Sequence, residues 1–192
     1  TVSELIRGMI IQSGNDACVA LAEAIAGSEA AFAQMMNAEA KRLGMTGTTY
    51  RNSTGLTEDG HTTTARDLAI LARALINDFP EYYPLYSTLD YTYNGIKQGN
   101  RNRLLTMDRS VDGMKTGHTD AAGWCLVSSA RRDGRRIVSV LLGAPTEKGR
   151  IESSATLLNY GYNAWENARV ALAEEVIASP AVYKGAADSV QL

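Results

Sequence analysis

The stretch GWCLVSSARRDGRRIVSVLLGA, residues 123–144, decides how the fold is interpreted. It contains two runs rich in apolar and β-branched residues, and Asp133-Gly134 between them is a dipeptide typical of tight hairpin turns. The pattern predicts two antiparallel strands. The segment VDGMKTGH, residues 111–118, leads into this hairpin, and we expect Lys115 to lie at the edge of the same sheet.

Helical patterns occupy the chain on both sides of these strands. The upstream segments are a helix capped by Ser3, a buried helix of small residues ending at Gly27, a helix capped by Ser28 with Phe32, Met35, Met36 and Leu43 inside, and a helix begun by Thr64. Residues 90–99 predict a short hairpin, and RLLTM (103–107) predicts a further extended piece. Residues 147–165 predict a last helix. Helices, then strands, then a helix indicate an α+β fold rather than alternating βαβ units.

Composition excludes several classes of function. The 192 residues carry a net charge of −2, which gives no reason to expect a nucleic acid partner. No apolar run approaches the roughly 20 residues that a membrane helix needs. Two cysteines do not make a disulfide framework, and two histidines without a CxxC motif give little support to a metal site.

Two distant motifs carry the chemistry. The first, S-G-N, places Ser13 and Asn15 at the start of a predicted helix, and the second, K-T-G-H, begins at Lys115. If the fold brings them together, Ser13 and Lys115 relay a proton while Asn15 holds an amide. Thr116 can donate to a carboxylate, and the backbone N–H of His118 can face a developing oxyanion.

Each of these residues also has a plain structural interpretation. Ser13 alone is explained as a helix cap, Lys115 as a solvated surface charge, and His118 as a polar residue at a strand end. The two motifs together, in this order and on these element types, favour the catalytic interpretation.

The paired motifs resemble those of a known family. S-x-N followed by K-T-G is the second and third of three motifs shared by penicillin-binding proteins and serine β-lactamases. The wider sequence is similar to the low-molecular-weight D-alanyl-D-alanine carboxypeptidases of the penicillin-binding protein 5 and 6 group. The similar stretches are LIRGMIIQSGNDACVALAEAIAGS, GLTEDGHTTTARDLA, NRNRLL, VDGMKTGHTDAAGWCLV and KGRIESSATLL. The resemblance implies a β-lactamase/transpeptidase-like domain, an antiparallel sheet flanked by helices.

The resemblance also implies a reaction and a site. Such an enzyme removes the terminal D-alanine from peptidoglycan pentapeptides through an acyl-enzyme, needs no cofactor, and is acylated by penicillins and other β-lactam antibiotics. By this resemblance Ser13 and Lys115 handle protons, and Asn15 positions the substrate amide and the catalytic lysine. Residues 115–118, with Thr116, Gly117 and His118, form the sheet-side wall of the substrate groove.

Two arginines complete the implied site. Thr116 and Arg150 would receive the terminal carboxylate, because the planar guanidinium fork matches a carboxylate. Arg101 matches another family arginine near the site. For both arginines the alternative is a surface ion pair worth under about 1 kcal/mol.

The first family motif, S-x-x-K, is absent, since no serine of the sequence has a lysine three positions on. We therefore expect an N-terminally truncated catalytic domain at residues 1–168, which is inactive alone and marginally stable. Residues 169–192 are expected to begin a truncated C-terminal β-rich domain. The family implies the bacterial periplasm, peripheral to the inner membrane, with membrane association through a C-terminal tail that is missing here.

Three other functions remain open. A non-catalytic peptidoglycan-peptide-binding relic of the same fold would keep the carboxylate pocket without a nucleophile. A β-lactamase would need a well-placed carboxylate for deacylation, and Glu58 and Asp59 in GLTEDGH do not match that signature. A metal-dependent D-Ala-D-Ala peptidase is disfavoured by its two widely separated histidines, His61 and His118.

Overall fold

The computed structural model describes residues 1–172, 174–187 and 189–191, and its elements follow the predicted α+β order. The α-helices are α1 (Val2–Arg7), α2 (Asn15–Ala26), α3 (Glu29–Leu43), α4 (Ala65–Asp78), α5 (Leu104–Met107) and α6 (Glu147–Ala164). The strands are β1 (Asp90–Tyr93), β2 (Ile96–Gly99), β3 (Val111–Thr119), β4 (Gly123–Arg132) and β5 (Arg135–Ala144). A π-helical segment spans Gly8–Gln12, and a 3-10 helix spans Tyr83–Ser87.

Strands β3, β4 and β5 form an antiparallel sheet with β4 in the middle. The predicted hairpin is confirmed, because Asp133 (φ 49°) and Gly134 (φ 76°) both adopt the left-handed geometry of a type I′ turn. Lys115 of β3 pairs with Val127 of β4. It therefore lies on an edge strand of this sheet, as predicted.

Helices cover both faces of the sheet. On one face Leu126 of β4 packs with Leu158 of α6 and Leu104 of α5, each 1% exposed. On the other face Met114 of β3 packs against Tyr83. Burying a large apolar side chain stabilises the fold by about 1.5–3 kcal/mol, so these two clusters fix the sheet between its helices. The predicted sheet flanked by helices is confirmed.

The helix caps agree with the sequence except at the first helix. Thr1, not Ser3, caps α1, because the Thr1 hydroxyl accepts from the backbone N–H of Glu4 and the Glu4 carboxylate reaches back to Thr1. Ser28 caps α3 and Thr64 caps α4, both through their side-chain oxygens. The prediction for Ser3 was wrong because a competing cap precedes it by two residues.

Helix α2 ends at Gly27 as predicted, but it is not buried all round. Ala17 and Ala22 are its buried residues, whereas Ile25 is 59% exposed. In α3, Met35 was predicted to face inward and is 51% exposed. Small residues let one side of α2 approach its neighbours closely, whereas Val19 and Leu21 are half-buried and Ile25 lies on the outer side.

Residues 104–107 form the short helix α5, so the predicted extended piece was wrong. The buried amide of Asn102 explains the difference. Its Oδ1 accepts from the backbone N–H of Leu104 at 3.2 Å, and its Nδ2 donates to the carbonyl of Gly113 at 3.1 Å. This tertiary contact fixes the start of a helical turn that a short apolar run does not reveal.

After α6 the described residues contain no further helix or strand, and an isolated antiparallel bridge joins Ala181 to Ser189. The boundary between residues 168 and 169 stays a prediction. In the part of the chain that the structure describes, no helix has the length and apolarity needed to cross a membrane.

Candidate active site

The predicted site residues meet in one cavity of about 730 Å³ beside the sheet edge. This volume lies in the range typical of small-ligand sites. The cavity lining includes Ser13, Asn15, Arg101, Lys115, Thr116, Gly117, His118 and Arg150. Residues spread over most of the chain therefore converge on one site.

Ser13 and Lys115 are in direct contact although 102 positions separate them. Ser13 ends the π-helical segment with φ 58°, a left-handed conformation that residues with a side chain seldom adopt. Its hydroxyl accepts a hydrogen bond from Lys115 Nζ, which also donates to the carbonyl of Thr116 at 2.9 Å. Gly14, not Ser13, is the N-cap of α2, so Ser13 does not cap the helix that follows it.

Lys115 is not a solvated surface charge. Desolvation by burial is the main cause that lowers the pKa of Lys115 to about 8. The charges of Arg101 and Arg150 also lower this pKa, while Cys18 opposes the shift. A lysine whose pKa lies near neutrality can both accept and donate a proton under physiological conditions.

The first turns of α2 contribute an amide and a thiol to the lining. Asn15 is the first residue of α2 and is exposed at the cavity. Cys18 lies one turn further on, and the sequence indicated only a buried thiol there. Desolvation by burial raises the pKa of Cys18, which keeps it in the thiol form at neutral pH.

Arg150 is buried at the beginning of α6. Its side chain is 3% exposed, and its Nη2 donates to Glu147 Oε1 at 3.1 Å. Its Nε is buried and has no hydrogen-bond partner among the described residues. A cation near a helix N-terminus opposes the helix dipole, so α6 gains no stability from this charge. The interpretation as a surface ion pair therefore does not apply to Arg150.

Positive charge dominates the cavity lining. The cations are Lys115, Arg101, Arg103 and Arg150, and Glu147 is the one carboxylate among the lining residues. Arg101 is exposed, and its backbone N–H donates to the carbonyl of Ile11 at 3.2 Å, which holds it at the cavity. Four cations against one carboxylate suit an anionic ligand.

The His118 side chain has a role that the sequence did not indicate. Its ring lies 4.0 Å from the Trp124 ring, centre to centre, at an interplanar angle of 35°. The guanidinium carbon of Arg150 lies 5.0 Å from the same indole. Trp124 and Glu147 were both missed, because the contacts that bring them to the site cross from strand to strand and from sheet to helix.

No three His, Cys, Asp or Glu side chains within residues 1–172, 174–187 and 189–191 are grouped so that they could hold a metal ion.

A sheet edge with a contacting Ser–Lys pair, flanked by helices, has the architecture of the penicillin-binding proteins. A sequence model of the peptidase S11 family, described as D-alanyl-D-alanine carboxypeptidase, matches residues 1–146. Because the match covers more than half of the chain, the protein belongs to this family.

Individual proteins agree with the family assignment. The chain is 48% identical over 167 residues to the D-alanyl-D-alanine carboxypeptidase DacC of Escherichia coli, covering 86% of this chain and 42% of the relative. Penicillin-binding protein 5 of Haemophilus influenzae has a TM-score of 0.93 and 43% identity, over 100% of this chain and 56% of that one. Penicillin-binding protein D2 of Listeria monocytogenes, solved in an ampicillin-bound form, has a TM-score of 0.79 and 36% identity. That match covers 85% of this chain and 68% of the Listeria chain.

These matches confirm the predicted fold class. The chain spans about half the length of the curated relatives that it matches.

Proposed function

We propose that this chain is part of a serine-type carboxypeptidase that removes the terminal D-alanine from peptidoglycan pentapeptides. The observation that carries the proposal is the bond from Lys115 Nζ to Ser13 Oγ in a cation-lined cavity. Membership of the D-alanyl-D-alanine carboxypeptidase family supports it.

The proposed reaction passes through an acyl-enzyme. The nucleophile is the serine of a Ser-x-x-Lys motif, which we assign to sequence outside residues 1–192 because no such motif occurs within them. Its Oγ attacks the carbonyl carbon between the two D-alanines, the C–N bond breaks, and D-alanine leaves. Water then hydrolyses the ester and regenerates the serine.

In this mechanism Ser13 and Lys115 carry the proton that the leaving amine needs. The attacking serine gives its proton to the lysine of its own Ser-x-x-Lys motif, and the Lys115–Ser13 pair delivers a proton to the departing nitrogen. A pKa of about 8 lets Lys115 take part in both directions near neutral pH. Positioned proton transfer of this kind contributes about 10²–10⁴-fold to rate.

The remaining lining residues bind the substrate. Arg150 and the Thr116 hydroxyl receive the terminal carboxylate, and the exposed Arg101 adds longer-range attraction. Asn15 holds the substrate amide, and the backbone N–H of His118 faces the oxyanion. Gly117 lies between Thr116 and His118 in the groove wall.

Penicillins present a carbonyl and a carboxylate like those of a D-Ala-D-Ala terminus, so we expect β-lactams to acylate the same serine. The ampicillin-bound relative from Listeria supports this expectation. We further propose a periplasmic location, peripheral to the inner membrane through a tail outside these residues. In this proposal residues 169–192 begin a C-terminal β-rich domain.

The second candidate is a non-catalytic peptide-binding relic of the same fold. The observation that favours it is the absence of Ser-x-x-Lys within the 192 residues, combined with a complete cation-lined pocket. A β-lactamase is less well supported, because the carboxylate of the cavity lining, Glu147, is bonded to Arg150.

Labelling with a fluorescent penicillin tests the proposal. The two samples are residues 1–192 alone and the extended protein, which we define as these residues together with upstream sequence through the next in-frame Ser-x-x-Lys. We expect label on the extended protein alone, read on a denaturing gel. Label on residues 1–192 alone would contradict the assignment of the nucleophile. Absence of label from both, with retained binding of a D-Ala-D-Ala peptide, would establish the relic.

A further inference from the structure

Trp124 contacts two other residues of the site, His118 and Arg150. The His118 and Trp124 ring centres are 4.0 Å apart, and the guanidinium carbon of Arg150 lies 5.0 Å from the indole centre. All three residues line the cavity. We call them the His118–Trp124–Arg150 stack.

The sheet register builds the first half of the stack. His118 of β3 and Trp124 of β4 are directly opposed in the antiparallel ladder, so their side chains project from the same face. Helix α6 begins shortly after β5, and its first turn brings Arg150 over the indole. The indole thus joins the edge strand to the helix that carries the carboxylate-binding candidate.

Arg150 is buried but has few polar partners. Its bond to Glu147 reaches a carboxylate that is 50% exposed, and its Nε has no hydrogen-bond partner among the described residues. The dipole of α6 disfavours a cation at this position. The surfaces that bury the guanidinium must therefore set its orientation, and the indole of Trp124 is one of them.

Contact with the indole can orient the guanidinium of Arg150 without occupying its N–H donors. A guanidinium that lies over an aromatic ring keeps its in-plane N–H groups available, and these are the groups that bind a carboxylate in two-point fashion. A hydrogen-bonding partner at the same place would occupy some of those donors.

We propose that Trp124 is a positioning residue that holds the Arg150 guanidinium ready for the substrate's terminal carboxylate, and that His118 supports the indole from β3. This inference rests on the proposed function, in which Arg150 receives that carboxylate. It predicts that the identity of residue 124 determines how strongly the enzyme distinguishes a carboxylate end from a neutral one.

The test uses the extended protein and two peptides that differ only in ending with D-Ala-D-Ala or with D-Ala-D-alaninamide. The variants are Trp124→Leu, which keeps apolar bulk without a π face, and Trp124→Phe, which restores the π face. Trp165→Leu is the matched control, because Trp165 is 67% exposed and lies outside the cavity lining. Thermal melting is followed for every variant, and KM and kcat are measured separately.

We expect Trp124→Leu to lower kcat/KM for the carboxylate peptide by about 3- to 30-fold, mainly through KM. The amide peptide should change less than about 2-fold, Trp124→Phe should recover most of the loss, and Trp165→Leu should have no effect. In an Arg150→Ala background, Trp124→Leu should cause no further loss, because Trp124 acts through Arg150.

Three results would overturn the inference. An equal loss of kcat/KM for both peptides would mean that Trp124 only stabilises the fold. Equal kcat/KM values for the Leu and Phe variants would mean the same. Additive losses with Arg150→Ala would mean that Trp124 does not act through Arg150. If the unmodified extended protein hydrolyses neither peptide, the proposed function itself fails and this inference fails with it.

Discussion

Two arginine-rich regions of the same domain differ in how their charges are compensated. The site cavity contains Lys115, Arg101, Arg103 and Arg150 with one carboxylate in its lining. At the other end of β4 and β5, Arg132 is paired with Asp108 at 2.7 Å and Arg136 with Asp112 at 2.6 Å. We call this second set the paired-arginine region.

In the paired-arginine region, neutral partners complete the ion pairs. Arg132 Nε donates to Ser110 Oγ at 3.0 Å, and Arg136 Nη1 donates to Ser129 Oγ at 2.7 Å. The guanidinium of Arg132 also lies 4.4 Å from the centre of the Tyr162 ring. These arginines have their partners within the fold and tie β4 and β5 to the segments beside them.

The difference teaches that burial alone does not identify a functional arginine. Arg136 and Arg150 are both largely withdrawn from water, and both lie over aromatic rings. Arg150 differs because it lies in a cavity lined by four cations and one carboxylate, so the positive charge of its surroundings is not balanced. We therefore expect substitutions in the site cavity to change activity and substitutions in the paired-arginine region to change stability.

The largest expected effect comes from Lys115→Arg in the extended protein. Arginine keeps the positive charge but cannot release a proton near neutral pH, so penicillin labelling should slow by about 10²–10⁴-fold. Lys97→Arg is the matched control, because Lys97 is exposed and pairs with Asp90 at 3.1 Å. Stopped labelling reactions on a gel give both rates. A Lys115→Arg protein that labels at the original rate would show that Lys115 supplies charge only.

The next effect concerns stability and pH. Between pH 8 and 10.5 the unfolded chain holds the Lys115 proton more tightly than the folded protein, because burial lowers the folded pKa to about 8. The stability associated with Lys115 is therefore full above pH 10.5 and is lost as pH falls toward 8. A shift of this size corresponds to about 3 kcal/mol.

Urea unfolding of the extended protein and of its Lys115→Met variant at several pH values measures this term. The free energy of unfolding of the variant, relative to the original, should fall by about 3 kcal/mol from pH 8 to pH 10.5. Parallel curves over that interval would show that Lys115 is solvated in the folded protein.

A smaller effect is expected from Arg136→Met. The substitution leaves the Asp112 carboxylate without its guanidinium, and the free energy of unfolding should drop by about 1–3 kcal/mol. Penicillin labelling should stay within about 2-fold, since Arg136 does not line the site cavity. Arg42→Met serves as the control: its pair with Glu39 is exposed, so the free energy of unfolding should hardly change. If Arg136→Met abolished penicillin labelling and left the free energy of unfolding unchanged, the proposed difference between the two regions would be wrong.

The smallest effect is expected from Arg101→Ala. Because Arg101 is exposed, its attraction to the substrate carboxylate is screened, and KM should rise by about 2- to 5-fold at low salt. The difference should shrink at about 0.5 M salt. Arg109→Ala is the control, since Arg109 is exposed but does not line the cavity. A large, salt-independent loss would indicate a direct, desolvated contact.

Local patterns were sufficient for much of the fold. The Asp133-Gly134 turn, the caps at Ser28 and Thr64, and the last helix were all predictable, because each depends on residues close together in sequence. Two predictions made from local patterns were wrong because a distant neighbour decides the local structure. The helix at 104–107 needs the buried amide of Asn102, and the exposure of Ile25 depends on how α2 packs.

The candidate site likewise contains residues that the sequence indicated and contacts that only the structure shows. The two motifs marked Ser13, Asn15 and the segment from Lys115 onward, and the family resemblance added Arg150. No local pattern indicated that Trp124 contacts both His118 and Arg150, or that Glu147 is the carboxylate that Arg150 contacts.

The amino-acid sequence by itself determined the order of helices and strands, the turn between β4 and β5, and the identity of the reactive groups, because periodicity, turn chemistry and residue type are local properties. Only the tertiary structure decided that the Ser13 hydroxyl meets the Lys115 amine, that burial lowers the pKa of this lysine, and that Arg150 stacks on Trp124. Contact, desolvation and charge balance depend on neighbours that the chain brings together only when it folds.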